Sequence, residues 1–141
     1  MRDLRVSITD RCNFRCLYCL PETEEAANFY RSKWDALRNP HPAGLVPIQY
    51  EWKPKSHLLT YEEIGRVVRV AASLGIDKVR VTGGEPLLRK GVETLVADLA
   101  SVPGVRDLAM TTNGFRFASK AEALRSAGLR QIGRASCRER V

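Results

Sequence analysis

The chain has 141 residues, of which 44% are hydrophobic and 28% charged, a composition typical of one globular domain or part of a larger one. No run of apolar residues approaches the roughly 18 to 20 that a membrane-spanning helix needs, and the first residues lack the apolar stretch of a secretory signal, so the expected location is the cytoplasm. The net charge is +7, but basic residues are scattered among acidic ones, which favours a solvated surface, then an anionic substrate, over nucleic acid.

The first element in chain order is a strand that leads directly into three closely spaced cysteines. Residues 4–9 alternate and include several β-branched side chains, which predicts a strand. Cys12, Cys16 and Cys19 follow with the spacing C-x-x-x-C-x-x-C. Three thiolates from one loop can hold three irons of a [4Fe–4S] cluster and leave the fourth iron open to a small molecule. A cluster that only transfers electrons normally takes four cysteines.

Two other interpretations of the cysteines stay open at this point. A structural zinc site needs a fourth ligand, for which His41 and His57 are the candidates. Alternatively, the three cysteines are buried and bind nothing. Structural disulfides are the least favoured, because the cysteines crowd into one short loop of a chain that is expected in the cytoplasm.

Residues 22–57 are predicted to be an insertion after the cysteine loop. Residues 24–38 show the spacing of an amphipathic helix, and the prolines that follow break regular structure. The segment is rich in aromatic residues, so we expect it to pack on another part of the molecule. A role in covering the cluster or in tuning access to it is the corresponding hypothesis.

The rest of the chain alternates between predicted helices and strands. A capping box at Thr60 and Glu63 opens an amphipathic helix, which Gly75 ends. Then follow a strand over 78–82, a helix over 89–101, a strand within 105–112, and a helix that a capping box at 119–122 opens and Gly128 closes. This alternation predicts an α/β fold with a parallel sheet, about three βα units of an open, partial TIM-type barrel.

A second candidate motif, Thr82-Gly83-Gly84-Glu85-Pro86, follows the second predicted strand. Paired glycines let the backbone approach a ligand closely, Glu85 can pair with an ammonium group, and Pro86 stiffens the exit of the loop. A plain Gly-Gly turn is the alternative. Like the cysteine loop, the motif lies just after a strand, where α/β sheets and barrels place their chemistry.

The cysteine motif followed by the glycine motif resembles the radical S-adenosylmethionine (SAM) superfamily. The runs LRVSITDRCNFRC (4–16), VRVTGGEPLLR (79–89) and MTTNG (110–114) are similar to its GTP 3′,8-cyclase family, which acts in molybdenum cofactor biosynthesis. The resemblance implies a [4Fe–4S] cluster that binds SAM and supplies the electron that cleaves it. The resulting 5′-deoxyadenosyl radical abstracts the 3′ hydrogen of GTP, and the ribose radical attacks C8 of the guanine.

The resemblance also implies roles for individual residues and partners. The implied SAM contacts are Tyr18, Gly83, Gly84, Glu85 and Pro86, and the implied GTP contacts are Arg5, Arg80 and Thr111. Arginine suits a nucleotide because its planar fork pairs with phosphate; a surface or strand-end role is the alternative for these three residues, and loop packing is the alternative for Tyr18. The sequence does not identify the electron donor, for which a reductant protein such as flavodoxin is a candidate, and neither nucleic acid nor a membrane is an expected partner.

Three features depart from that family. The insertion is longer than is usual after the cysteine loop. Residues 131–141, QIGRASCRERV, resemble a translated sequencing adapter, since their codons can contain AGATCGGAAGAGC, and they are expected to be an artefact. We therefore expect no strand after the third helix. The family's second cluster needs three further cysteines, which this chain lacks, so we expect it not to complete the GTP reaction alone.

Two alternatives remain at the level of function. One is another branch of the radical SAM superfamily, such as a peptide-modifying maturase, for which the insertion leaves room. The other is a zinc-binding or interaction module that performs no chemistry.

Overall fold

The computed structural model describes residues 2–16, 19–20 and 49–134. For residue 134 it describes the backbone only. The chain divides into two compact units, one made of Met1–Cys12 with Lys53–Val141 and the other of Asn13–Trp52. Within the described ranges, every helix is too short or too polar to cross a bilayer. Tyr18 and the helix predicted over residues 24–38 lie outside the described residues.

The first unit is built on a four-stranded parallel sheet. Its strands are β1 (Asp3–Ser7), β2 (Lys78–Thr82), β3 (Asp107–Thr112) and β4 (Gln131–Arg134), which lie side by side in chain order. Its helices are α1 (Tyr61–Ser73), α2 (Val92–Ser101) and α3 (Phe117–Ser126), with short 3₁₀ helices at Lys55–His57 and Pro86–Leu88. The predicted α/β fold with a parallel sheet is confirmed.

Helix α1 begins and ends as the sequence predicts. The Thr60 hydroxyl accepts a hydrogen bond from the Glu63 N–H at 3.2 Å, and the Glu63 carboxylate accepts one from the Thr60 N–H at 2.7 Å. This reciprocal pair satisfies two N–H groups that a helix start leaves without intrahelical partners. At the other end, Gly75 has a φ of +95°, a conformation that glycine adopts without steric cost.

The other two helices begin at different residues from those predicted. Helix α2 starts at Val92 instead of residue 89, because Pro86–Leu88 forms a separate turn and Gly91, with a φ of +72°, precedes the helix. Helix α3 starts at Phe117, and the Ser119 hydroxyl donates to the carbonyl oxygen of Arg116 at 3.0 Å. The capping box predicted at 119–122 is therefore wrong, because Ser119 already lies inside the helix.

Strand β4 corrects a second expectation. We expected no strand after the third helix, yet residues 131–134 extend the sheet in parallel register, with Ala109 opposite Gln131 and Thr111 opposite Gly133. Just before β4, the Arg130 N–H donates a hydrogen bond to the Leu108 carbonyl at 3.0 Å, which continues the pairing with β3. Backbone pairing requires no particular side chain at these positions, so the strand forms whatever the origin of the tail, and the adapter origin stays a prediction.

The two faces of the sheet differ sharply. One face packs against the three helices and forms the core with them; its buried members are Val6, Val79, Val81, Leu108, Met110, Ile64, Val68, Leu95, Val96, Leu99 and Leu124. Helices lie on one face because each crossover between neighbouring parallel strands has the same hand. The opposite face carries polar residues such as Arg5, Lys78 and Arg80, so it resembles the inner wall of an incomplete barrel.

Candidate functional site

Backbone hydrogen bonds join the loops after β1 and β2 beyond the ends of the strands. The Gly84 N–H donates to the Thr9 carbonyl at 2.7 Å, and the Glu85 N–H donates to the Arg11 carbonyl at 2.8 Å. The glycine loop therefore lies alongside the residues that lead into Cys12. The glycine motif and the residues that precede Cys12 therefore meet at the carboxyl edge of the sheet.

The paired glycines are required by this close approach. A Cβ on Gly83 would lie 2.4 Å from the Thr9 carbonyl oxygen, and one on Gly84 would lie 2.3 Å from the Arg11 carbonyl oxygen. Both distances are far below any real carbon–oxygen contact. The sequence suggested that the glycines admit a ligand; the structure shows that they first admit the chain's own backbone, and that the Gly84 N–H is already used there.

Glu85 has a different environment from the one that the sequence suggested. Its side chain is completely buried. One carboxyl oxygen accepts hydrogen bonds from the Leu87 N–H at 3.0 Å and the Thr112 hydroxyl at 2.7 Å, and the other accepts one from the Asn113 N–H at 2.6 Å. The carboxyl group thus fastens the glycine loop to the end of β3, and the predicted pairing with a ligand ammonium group is not what this geometry favours.

Pro86 is buried at the start of the 3₁₀ helix Pro86–Leu88, directly after Glu85. Its fixed φ suits the first position of a helical turn. The following residue, Leu87, is buried in the core, so the exit of the glycine loop is anchored. The stiff exit predicted for Pro86 matches this placement.

Arg89 has a structural role that was not predicted from the sequence. Its guanidinium group donates to the Ile8 carbonyl at 2.7 Å and to the Leu59 carbonyl at 2.6 Å, and lies 4.4 Å from the centroid of the Tyr61 ring. Burial raises the pKa of Tyr61, while the positive charge of Arg89 works in the opposite direction. Arg89 therefore joins the end of β1 to the start of α1. The sequence shows only an arginine after the glycine motif and does not indicate these distant partners.

Cys12 lies beside the loop that follows β3. The side-chain amide of Asn113 donates to the Cys12 sulfur over 3.9 Å, and both residues are partly buried. Asn113 lies within the run 110–114 that resembles the cyclase family, and no role was predicted for it from the sequence. The sequence signal that could have indicated a functional position is the Asn-Gly pair at the end of a strand.

Cys16 and Cys19 belong to the second unit, where they share a turn. The N–H groups of Cys19 and Leu20 both donate to the Cys16 carbonyl at 2.9 Å. Cys16 is half-buried, Cys19 is exposed, and His57, in the first unit, is exposed. Across residues 2–16, 19–20 and 49–134, no three His, Cys, Asp or Glu side chains are gathered in a way that could hold a metal ion.

The end of the insertion packs within the second unit, as its aromatic content predicts. The rings of Tyr50 and Trp52 stack with centroids 5.8 Å apart. The guanidinium carbon of Arg15 lies 5.8 Å from the first ring and 5.4 Å from the second. These cation–π contacts join Tyr50 and Trp52, near the end of the insertion, to the residue that immediately precedes Cys16.

The three residues implied as GTP contacts share the polar face of the sheet. Arg5 and Arg80 are register partners on β1 and β2, and both line a cavity of about 550 Å³. The Arg80 guanidinium and the Thr111 hydroxyl lie 3.4 and 3.7 Å from the point where a Cβ on Gly133 would stand. The structure thus places Arg80 between Arg5 and Thr111 on three neighbouring strands.

Comparisons with known proteins identify relatives of this chain. The chain is similar to proteins named GTP 3′,8-cyclase from Staphylococcus haemolyticus (42% identity), Acidothermus cellulolyticus (45%) and Staphylococcus aureus (39%), in each case over 94% of this chain. It spans about a third of the length of these curated relatives, 31–33%.

A solved structure and a family model extend the comparison. The crystal structure of BtrN in complex with AdoMet and 2-DOIA matches 93% of this chain and 44% of that one, with a TM-score of 0.55 and 16% identity, which shows a shared fold. The family model of the radical SAM superfamily matches residues 6–133, which covers both motifs and all but the last residue of β4. On this match, the chain belongs to the radical SAM superfamily.

Proposed function

We propose that the chain is the cluster- and SAM-binding part of a GTP 3′,8-cyclase, which acts in molybdenum cofactor biosynthesis. The observation that carries the proposal is that the glycine loop is hydrogen-bonded to the residues leading into Cys12. The chain is also 39–45% identical to proteins of that name. Those names favour the cyclase over a peptide-modifying maturase. Because the chain spans a third of these relatives, we propose that cyclisation also needs residues that they carry beyond the matched part.

Membership of the superfamily implies a [4Fe–4S] cluster and SAM as cofactors, and the residues of this chain fit them. Thiolates are the usual ligands of such clusters, and a side-chain amide already points at the Cys12 sulfur, as an outer partner of a ligand should. When bound, the cluster supplies the electron that cleaves SAM to the radical that attacks the substrate. We assign Cys12, Cys16 and Cys19 as its ligands.

The remaining site residues divide into contacts and supports. We assign Gly83, Gly84 and Pro86 to the SAM site, together with Tyr18. For the electron donor, we propose a cytoplasmic reductant such as flavodoxin. Glu85 acts behind them, since its buried carboxyl group holds the glycine loop against β3. The proposed SAM contacts are therefore mostly backbone atoms, kept in place by side chains that face away from the ligand.

The polar face of the sheet is the proposed substrate side. Arg5 and Arg80 face the same cavity from adjacent strands, so both guanidinium groups can reach one triphosphate. Lys78 adds a third positive charge, partly offset by Asp3 and Asp107 in the lining. A phosphate group gains from bidentate arginine contacts there, and this is the role we assign to the pair.

Replacing any one of Cys12, Cys16 or Cys19 by serine is expected to abolish most iron uptake. The chain prepared without oxygen and reconstituted with iron and sulfide is expected to bind about four irons and turn brown. Iron per chain and the visible absorption spectrum measure this. The matched control is Cys137→Ser, the remaining cysteine of the sequence, which is expected to retain the wild-type iron content.

Reduction of the reconstituted chain in the presence of SAM provides the second readout. Release of 5′-deoxyadenosine is expected from the wild type and from Cys137→Ser, and not from Cys12→Ser. A colourless protein that binds zinc would instead support the zinc-binding module. Iron retained after all three cysteines are replaced would contradict the ligand assignment.

Replacing Arg80 by alanine is expected to weaken GTP binding to the reconstituted chain about tenfold. One charge-assisted hydrogen bond to phosphate contributes about 1.5 kcal/mol or more, and 1.4 kcal/mol corresponds to a tenfold change in Kd. Equilibrium dialysis with labelled GTP measures the change. The control is Arg66→Ala, an exposed arginine of α1; equal weakening in both variants would show only the effect of net charge.

A further inference from the structure

The orientation of the Asn113 side chain is determined by its neighbours. The Asn113 side-chain oxygen accepts a hydrogen bond from the Phe115 N–H at 3.0 Å. An amide oxygen facing an N–H group leaves the amide nitrogen facing the other way, which settles the assignment of the two atoms. That nitrogen donates to the Cys12 sulfur over 3.9 Å.

The backbone around Asn113 is held in place by the buried carboxyl group of Glu85. The Asn113 N–H donates to the Glu85 carboxyl group at 2.6 Å. The preceding residue, Thr112, donates its hydroxyl to the same carboxyl group at 2.7 Å, and that hydroxyl accepts the Gly114 N–H at 3.1 Å. Glu85 and Thr112 are both buried. The amide is therefore presented to Cys12 from a fixed support instead of a mobile loop.

We infer that Asn113 is a positioning residue that raises the reduction potential of the cluster through its hydrogen bond to Cys12. The inference rests on the proposed function, in which Cys12 is a cluster ligand. Reduction adds one electron, and part of the added negative charge falls on the ligand sulfurs. An N–H donor stabilises that more negative state in preference to the oxidised state, which is why hydrogen bonds to sulfur are among the determinants of cluster potential.

The test is a reductive titration of the reconstituted chain with dithionite and redox mediators, followed by electron paramagnetic resonance. In Asn113→Ala the ratio of reduced to oxidised cluster, measured at the wild-type midpoint potential, is expected to fall about three- to tenfold. A tenfold fall corresponds to a shift of about 59 mV toward more negative potential for one electron. Iron content is expected to stay at the wild-type level.

Two further variants keep the result interpretable. Ser119→Ala removes an exposed side-chain hydrogen bond to the Arg116 carbonyl and is expected to leave the potential unchanged. Asn113→Leu keeps the approximate size of the side chain and adds no charge but lacks the donor to Cys12, so the potential of the cluster is expected to fall as well. It serves as the second measurement if the alanine variant does not retain iron.

The outcomes separate this inference from the proposed function. Equal midpoint potentials in the wild type and both Asn113 variants, all with full iron content, would overturn the role of Asn113 and leave the cluster assignment standing. A wild-type chain that takes up no iron would overturn both. A fall in potential confined to the Asn113 variants would support the hydrogen bond to the Cys12 ligand, because a general loss of fold stability does not shift a midpoint.

Discussion

Replacing Glu85 by alanine is expected to lower the free energy of unfolding by about 4 kcal/mol. The carboxyl group is completely buried and accepts three hydrogen bonds, from Leu87, Thr112 and Asn113. Alanine leaves these donors in the interior without acceptors, at about 1–3 kcal/mol for each unsatisfied group, and also opens a cavity. Urea unfolding followed by circular dichroism measures the loss.

A matched glutamate and a milder change complete this experiment. Glu122 is exposed on α3, and Glu122→Ala is expected to change the stability by less than about 0.5 kcal/mol. Glu85→Gln keeps the shape but turns one acceptor oxygen into a donor, so an intermediate loss is expected. If Glu85→Ala were no more destabilising than Glu122→Ala, the carboxyl group would not be the link between the glycine loop and β3.

The local elements of this fold were predictable because their signals lie close together in the sequence. The capping box that opens α1 joins residues three apart, Thr60 and Glu63, and the structure has both of its hydrogen bonds. The alternation of apolar residues over 78–82 places the second strand correctly. The start of α3 was placed wrongly because Ser119 and Glu122 match the same local pattern from within the helix.

The role of Glu85 was not predictable in the same way. Its partners Thr112 and Asn113 lie 27 and 28 residues further along the chain, on another strand end. A glutamate after two glycines is compatible with a ligand contact or with a buried support, and only the tertiary structure distinguishes the two. The motif predicts a loop at the end of the second strand, and the structure has that loop there, whereas the role of each residue within the loop depends on packing across the sheet.

Replacing Gly84 by alanine is expected to destabilise the fold by about 2–3 kcal/mol, a typical cost of overpacking, and to reduce iron uptake. Gly84 does not have a positive φ, so its need for glycine comes from space. The added methyl group would lie 2.3 Å from the Arg11 carbonyl oxygen and 2.6 Å from its carbon, and backbone cannot rotate aside as a side chain can.

The expected loss of iron uptake follows from the displacement of Arg11, because Arg11 immediately precedes Cys12. Moving Arg11 breaks the hydrogen bonds that tie Thr9 and Arg11 to the glycine loop, at 2.7 and 2.8 Å, and so shifts the neighbouring Cys12. The control is Gly75→Ala at the end of α1. Gly75 has a φ of +95° and nothing within 4 Å of an added Cβ, so it is expected to lose about 1 kcal/mol for its backbone conformation alone and to keep its iron. Wild-type iron content in Gly84→Ala would mean that the position of Cys12 does not depend on the glycine loop.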